Sequence, residues 1–211
     1  MDTSPAYNLV LKKIKYLLIF ILFFVLSEKC FSQWQQVKSQ NGGSVNNICV
    51  SKDTVYALVR EKGLMKSIDG GLNCRMIYEY KMRLEKLSVE NNQILIGAQT
   101  AYSSDYGKTF YKLNAPVGAW YNGVVIGGNI ILCGDSVFLS KDNGTTFTKP
   151  LNHSGWFNIR KSEQKVFVWD YGTNLSFVSI DSGKTWQPFS NGTQKLNEIF
   201  DTKGDTVVVL K

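Results

Sequence analysis

The chain has 211 residues, 44% hydrophobic and 19% charged, with a formal net charge of +7 and one histidine. This balance excludes a disordered or membrane-dominated chain and allows one globular domain with its own core. The basic residues are dispersed, with no Lys/Arg block or basic helix, which argues against a nucleic-acid partner.

The N-terminal segment reads as an export signal. Lys12, Lys13 and Lys15 precede the unbroken apolar run 17–26, and Cys30-Phe31-Ser32 places small residues at the two positions a signal peptidase reads. A helix over that run would rise only about 15 Å, roughly half the hydrocarbon thickness, so removal after Ser32 is expected in preference to retention as an anchor. Ser27-Glu28-Lys29 argues against lipid attachment at Cys30. Residues 1–32 are therefore a signal peptide, and 33–211 form a secreted or periplasmic domain with no stable membrane span. Cleavage lowers the basic and acidic counts from 24 and 17 to 20 and 15, a net of +5. Three cysteines would remain. Cys49 and Cys133 sit in apolar runs and read as small core residues, and the spacing of the three with Cys74 gives no zinc signature. One disulfide remains open to an exported protein.

Beyond residue 33 the pattern is strand, tight connection, strand. A fourth-strand-like segment, Gln33 to Val37, comes first, and a helix period is absent. Second strands are expected at 54–60, 93–98, 129–133, 166–169 and 206–210, and Gly127-Gly128 reads as the hairpin joining 122–126 to 129–133.

An octet recurs through these strands. Ser103-Ser104-Asp105-Tyr106-Gly107-Lys108-Thr109-Phe110 returns as Ser140-Lys141-Asp142-Asn143-Gly144-Thr145-Thr146-Phe147 and as Ser179-Ile180-Asp181-Ser182-Gly183-Lys184-Thr185-Trp186. A degenerate copy, Ser67-Ile68-Asp69-Gly70-Gly71-Leu72-Asn73-Cys74, precedes them, and the aspartates lie 36, 37 and 39 residues apart. Each position has a local task. The Gly adopts a backbone conformation that other residues resist, the Asp folds back onto turn N–H groups, the Thr hydroxyl adds a bond, and the aromatic buries itself against a neighbouring unit.

The octets resemble Asp boxes, the bacterial neuraminidase repeats found in sialidases, xyloglucan-active glycosidases, sortilin-like receptors and photosystem II assembly factor relatives. The resemblance runs in register over 34–211. It implies an all-β propeller of four-stranded antiparallel blades, with each box joining the third and fourth strands on the face away from the usual ligand site. Four complete blades and two strands of a fifth are expected. The next third strand and box are due where the chain stops at Lys211, which is read as a fragment of a longer propeller in preference to completion by a partner or imperfect closure of five units.

Fold does not settle function. The positions leading into each innermost strand pair an apolar residue with a polar one: Val45-Asn46, Leu84-Glu85, Tyr121-Asn122, Phe157-Asn158 and Leu196-Asn197. Trp120 and Trp156 beside Asn122 and Asn158, with Glu85, form the candidate binding set, since aromatic faces and amides suit a sugar or peptide. The competing reading is that these Asn residues bond loop backbone and the Trp rings fill space between blades.

Catalysis finds little support. Sialidases of the resembled fold use three arginines, and this chain has only Arg60, Arg75, Arg83 and Arg160 beyond the signal, without an Arg-Ile-Pro motif. Asp170, Glu85 and Glu163 are the carboxylates a glycosidase pair would draw on. His153 reads as a loop residue and supports no Ser/His/Asp set. Nothing calls for a cofactor or metal. The expectation is a noncatalytic binding or assembly module for a protein or glycan, with a truncated or decayed glycoside hydrolase as the alternative.

Overall fold

The computed structural model describes residues 15–16, 43–80, 86–97, 101–116, 122–173, 175–191, 198–203 and 206–210. The chain divides into two compact units, Met1–Gln36 and Val37–Lys211. Lys15 and Tyr16 are helical, and the rest of the expected signal peptide, its expected cleavage site and the strand expected at Gln33 to Val37 lie outside the described residues. Among the described residues no helix is long and apolar enough to cross a membrane.

The second unit is all β. β1 (Val45–Ser51), β2 (Thr54–Val59), β3 (Gly63–Ser67) and β4 (Arg75–Glu79) form an antiparallel sheet in chain order. β5 (Leu87–Glu90), β6 (Gln93–Ile96), β7 (Ala101–Ser103) and β8 (Tyr111–Lys112) form the second. The third holds β9 (Asn122–Ile126), β10 (Asn129–Cys133) and β11 (Val137–Ser140), its fourth strand reduced to one bridge between Leu139 and Thr148. β12 (Phe157–Ser162), β13 (Lys165–Asp170), β14 (Leu175–Ser179) and β15 (Gln187–Asn191) make the fourth, and β16 (Glu198–Lys203) with β17 (Thr206–Leu210) a two-stranded fifth. β1, β5, β9, β12 and β16 lie side by side in that order, so each sheet is a blade whose first strand is innermost. This is a β-propeller arrangement, and Gly127-Gly128 forms the expected hairpin, with φ of 54° and 80°.

Side-chain alternation explains how the blades stack. Successive residues of a strand point to opposite faces, so a strand apolar at every position serves two cores. In β6, Ile94 and Ile96 pack with Tyr56, Leu58 and Leu64 of the first blade, whereas Leu95 between them packs with Ile130, Leu132 and Phe138 of the third. In β10, Ile131 and Cys133 turn the other way and meet Phe157, Val166 and Val168 of the fourth. Cys133 is a fully buried thiol and burial pushes its pKa up, as the apolar run around it predicts. Cys49, Cys74 and Cys133 are free thiols.

The four octets fold alike. In the second blade the Ser103 hydroxyl donates to Asp105 Oδ1 at 2.7 Å and accepts the Gly107 N–H at 2.9 Å. The Thr109 N–H and hydroxyl donate to the two oxygens of Asp105 at 2.9 and 2.6 Å. Asp142 with Ser140, Gly144 and Thr146 repeats this, as does Asp181 with Ser179, Gly183 and Thr185. In the degenerate copy Asn73 replaces the Thr: its N–H reaches Asp69 Oδ1 at 3.0 Å and its side-chain amide reaches Oδ2 at 2.8 Å. The octet glycines lie at φ of 78° to 94°, and the residue before each is left-handed too, including Tyr106 at 64°. Phe110, Phe147 and Trp186 each pack, partly buried, into the seam between their own blade and the preceding one.

These bonds stabilise the carboxylate form. Asp69, Asp142 and Asp181 are held down at about 2, and Asp105 lower still. The leading cause is the residue four positions on: the Asn73 N–H for Asp69, the Thr109 hydroxyl for Asp105, the Thr146 hydroxyl for Asp142 and the Thr185 N–H for Asp181. On unfolding each returns to an ordinary 3.8, so between these values the unfolded chain binds more protons. Stability is then complete above about pH 4 and lost as pH falls toward 2. Exposure keeps each contribution small, but four act together. Calorimetry should show a melting temperature that falls steadily between pH 4 and 2, and a flat profile there would contradict the bonding described.

Candidate functional site

The ends of the blades opposite the octets gather the start of each innermost strand and the second hairpin of each blade. Between the third and fourth blades this end is described in detail. Asn122 at the start of β9 donates through Nδ2 to Asn158 Oδ1 at 2.7 Å, which ties β9 to β12 across the blade boundary. Asn158 Oδ1 also accepts the Ile159 N–H at 2.9 Å, and its Nδ2 donates to the Tyr171 hydroxyl at 2.8 Å. The result is a chain of polar groups, Asn122 to Asn158 to Tyr171. Asn158 is buried, whereas Tyr171 is half exposed and adjoins Trp169 edge to face at 6.4 Å.

The loop entering β12 is held by Asp170, at the end of β13. Its carboxylate accepts the N–H groups of Trp156 and Gly172, both at 2.9 Å, and the Thr173 hydroxyl at 2.6 Å. His153 Nε2 lies 3.5 Å from the same carboxylate. Burial works to raise the pKa of Asp170, but the bonds from Thr173, Gly172, Trp156 and His153 outweigh it and the net shift is downward. The loop is also pinned from the third blade, where the carbonyls of Asp135 and Gly134 accept the N–H groups of Gly155 and Phe157. Gly155 lies so close to the Asp170 carboxylate that a Cβ there would collide with it.

This anchoring aims Trp156 outward. Its backbone is bonded at both N–H and C=O, yet the residue is 79% exposed, the most exposed of the large hydrophobic residues described. Of the candidate set, Asn122, Asn158 and Trp156 therefore meet at one blade junction, and Trp120 and Glu85 lie outside the described residues. The Asn pair bonds mainly side chain to side chain across the blade boundary, with the Ile159 N–H of β12 as a backbone partner, and Trp156 stands exposed instead of filling space between blades. Tyr171 and the Asp170 anchor went unseen in the sequence. The signal was the turn-rich Asp170-Tyr171-Gly172-Thr173 that follows an apolar strand.

A second cluster lies near the axis toward the octet end. Lys161 of β12 extends its ammonium to the carbonyls of Val89 at 2.9 Å and Val125 at 2.8 Å, on β5 and β9. The Val125 N–H donates to the Ser88 hydroxyl at 3.1 Å. Both edge groups of Val125 are thus satisfied by side chains of the flanking blades.

No family model matches this chain. No curated protein matches it either. Solved structures do: YCF48 from Cyanidioschyzon merolae at 10% identity and TM-score 0.57 covers 79% of this chain and 62% of its own. YCF48 bound to D1 peptide, at 13% and 0.56, covers 81% and 61%. The GH74 enzyme of Niastella koreensis, at 19% and 0.56, covers 76% of this chain and 27% of its own. The chain thus spans about six-tenths of the YCF48 chains and about a quarter of that GH74 enzyme. At these identities the likeness is one of fold.

Proposed function

We propose that this chain is an exported, noncatalytic propeller that binds an extended segment of another protein at the blade ends opposite the octets. The observation that carries this reading is Trp156: a large aromatic held rigid by its backbone, left exposed, and set beside the Asn122–Asn158–Tyr171 chain of polar groups. Such a residue offers an anchor at low entropic cost, and the half-exposed Tyr171 hydroxyl, held in place by Asn158, suits a peptide backbone. The octets act as Asp boxes, fastening the third and fourth strands of each blade so that the opposite end remains free for recognition. Residues 1–32 act as the export signal, which places the domain outside the cytoplasm. The likeness in fold to a YCF48 bound to D1 peptide supports peptide binding on a scaffold of this kind. The glycosidase alternative is disfavoured at Asp170, whose carboxylate is occupied by donors and held ionised, the wrong state for a general acid.

The test is a peptide array and a glycan array probed in parallel with the wild-type protein and Trp156→Ala. Peptide binding weakened on the order of thirtyfold or more, with an unchanged melting temperature, is expected for an exposed anchor. Retention of xyloglucan oligosaccharides, or their cleavage, would favour the glycosidase reading.

A further inference from the structure

Trp156 and Tyr171 share one rung of the fourth blade, at the end opposite the octets. The register of β12 with β13 pairs Phe157 with Asp170 and Asn158 with Trp169, and the Tyr171 N–H donates to the Trp156 carbonyl at 3.1 Å, which extends the pairing by one position. Residues directly opposite in an antiparallel pair project from the same face, with Cβ atoms about 5 Å apart. Trp156 and Tyr171 are therefore cross-strand neighbours, and they are 79% and 50% exposed. Two residues further into the strands, Asn158 and Trp169 repeat the pairing on the same face and are buried, with Trp169 edge to face against Tyr171. The strands thus present an exposed aromatic pair on a packed base.

The hydrogen-bonding groups around this pair divide by kind. The acceptors are engaged within the fold: the Trp156 carbonyl takes the Tyr171 N–H, Asn158 Oδ1 takes the Asn122 amide and the Ile159 N–H, and the Asp170 carboxylate takes donors from Trp156, Gly172 and Thr173. The outward groups are donors. Because the Tyr171 hydroxyl accepts the Asn158 amide, its own proton is left for a partner, and the indole N–H of the exposed Trp156 is a second donor.

We propose, resting on the reading of this end as a peptide site, that its partner is a proline-rich segment in the polyproline II conformation. Flat aromatic rings on the protein call for flat apolar faces on the ligand, and outward donors call for acceptors. Proline supplies both. Its ring packs on an aromatic face, its residue contributes a carbonyl without an N–H, and the preformed helix loses little freedom on docking. Other chemistries match this rung less well. A lysine or arginine side chain brings donors alone, which would meet the donors of Tyr171 and Trp156. A sugar hydroxyl and an ordinary peptide unit each bring a donor together with an acceptor, and the Trp156 carbonyl and Asn158 Oδ1 that would receive it are already engaged.

Isothermal titration of the full chain with decaproline, taken into the millimolar range, should show saturable binding, and a proline-free Gly-Ser peptide of the same length should show none. Trp156→Ala should weaken decaproline binding on the order of thirtyfold, and Tyr171→Phe, which keeps the ring and removes the outward proton, about fivefold. Ile180→Glu, at an exposed octet position of the same blade, should bind as the wild type does. No binding of decaproline, equal binding of the Gly-Ser peptide, or decaproline binding indifferent to both Trp156→Ala and Tyr171→Phe would overturn the proposal. If Trp156-dependent capture of proline-free peptides persists on the array, the polyproline assignment alone fails. If Trp156→Ala alters the capture of no peptide, the reading of this end as a peptide site fails with it.

Discussion

Replacing Gly144 by alanine is expected to destabilise the protein by about 2–5 kcal/mol, while the same change at Gly71 costs about 1–2 kcal/mol. Both glycines are left-handed, at φ of 83° and 94°, so both substitutions carry the strain of an L side chain in that region. Only at Gly144 does the added methyl also collide with Leu113, a buried residue of the preceding blade that has little room to yield. Urea denaturation of the two variants separates these contributions. Equal losses would mean that backbone conformation is the whole of the octet glycine's task, and that the seam tolerates a methyl group. The expected inequality would show that the small residue is required twice, once by the turn and once by the approach of the preceding blade.

Lys161→Ala should cost about 2–4 kcal/mol, against less than about 0.5 kcal/mol for Lys112→Ala at an exposed position. The Lys161 ammonium bridges the edge carbonyls of two inner strands, and its removal leaves Val89 and Val125 unsatisfied near the axis. It also removes the charge attracted to Glu90, whose Oε2 is buried without a hydrogen-bond partner. Burial lowers the pKa of Lys161 and Glu90 opposes that shift, which marks the ammonium as partly desolvated and therefore costly to leave unpaired. Lys161→Met separates packing from bonding: it keeps the aliphatic stem and should recover only part of the loss. Thermal melts of the three variants measure this directly. Full recovery by Met would reduce Lys161 to a space-filling residue.

The candidate site was legible to different degrees at different residues. Trp156 and the two Asn residues stood out because an aligned repeat shows which positions begin each inner strand. Their roles did not follow from that alignment. Asn122 and Asn158 are consumed by bonds to each other, to the Ile159 N–H and to Tyr171, and such pairing joins residues from different blades, which no local pattern displays. Asp170 could equally have been one of a catalytic pair in the sequence; the structure brings three donors, from Trp156, Gly172 and Thr173, onto its carboxylate.

What the sequence by itself determined is whatever acts within one repeat. The octet turns, the hairpins and the strands came from local chemistry: an Asp that reaches the N–H groups of its own turn, glycines that accept a left-handed backbone, and alternating or unbroken apolar runs. The spacing of 36 to 39 residues then set the blade as the unit. Tertiary structure decided what depends on neighbours tens of residues away. It placed Ile94 and Leu95 in different cores, bridged Val89 and Val125 through Lys161, and let Asn73 replace a threonine within an intact turn. It also left Ile48, Val50 and Met76 of the first blade exposed. The strands of the first blade read like those of the others, because apolar sequence records that a face needs burial and not what buries it.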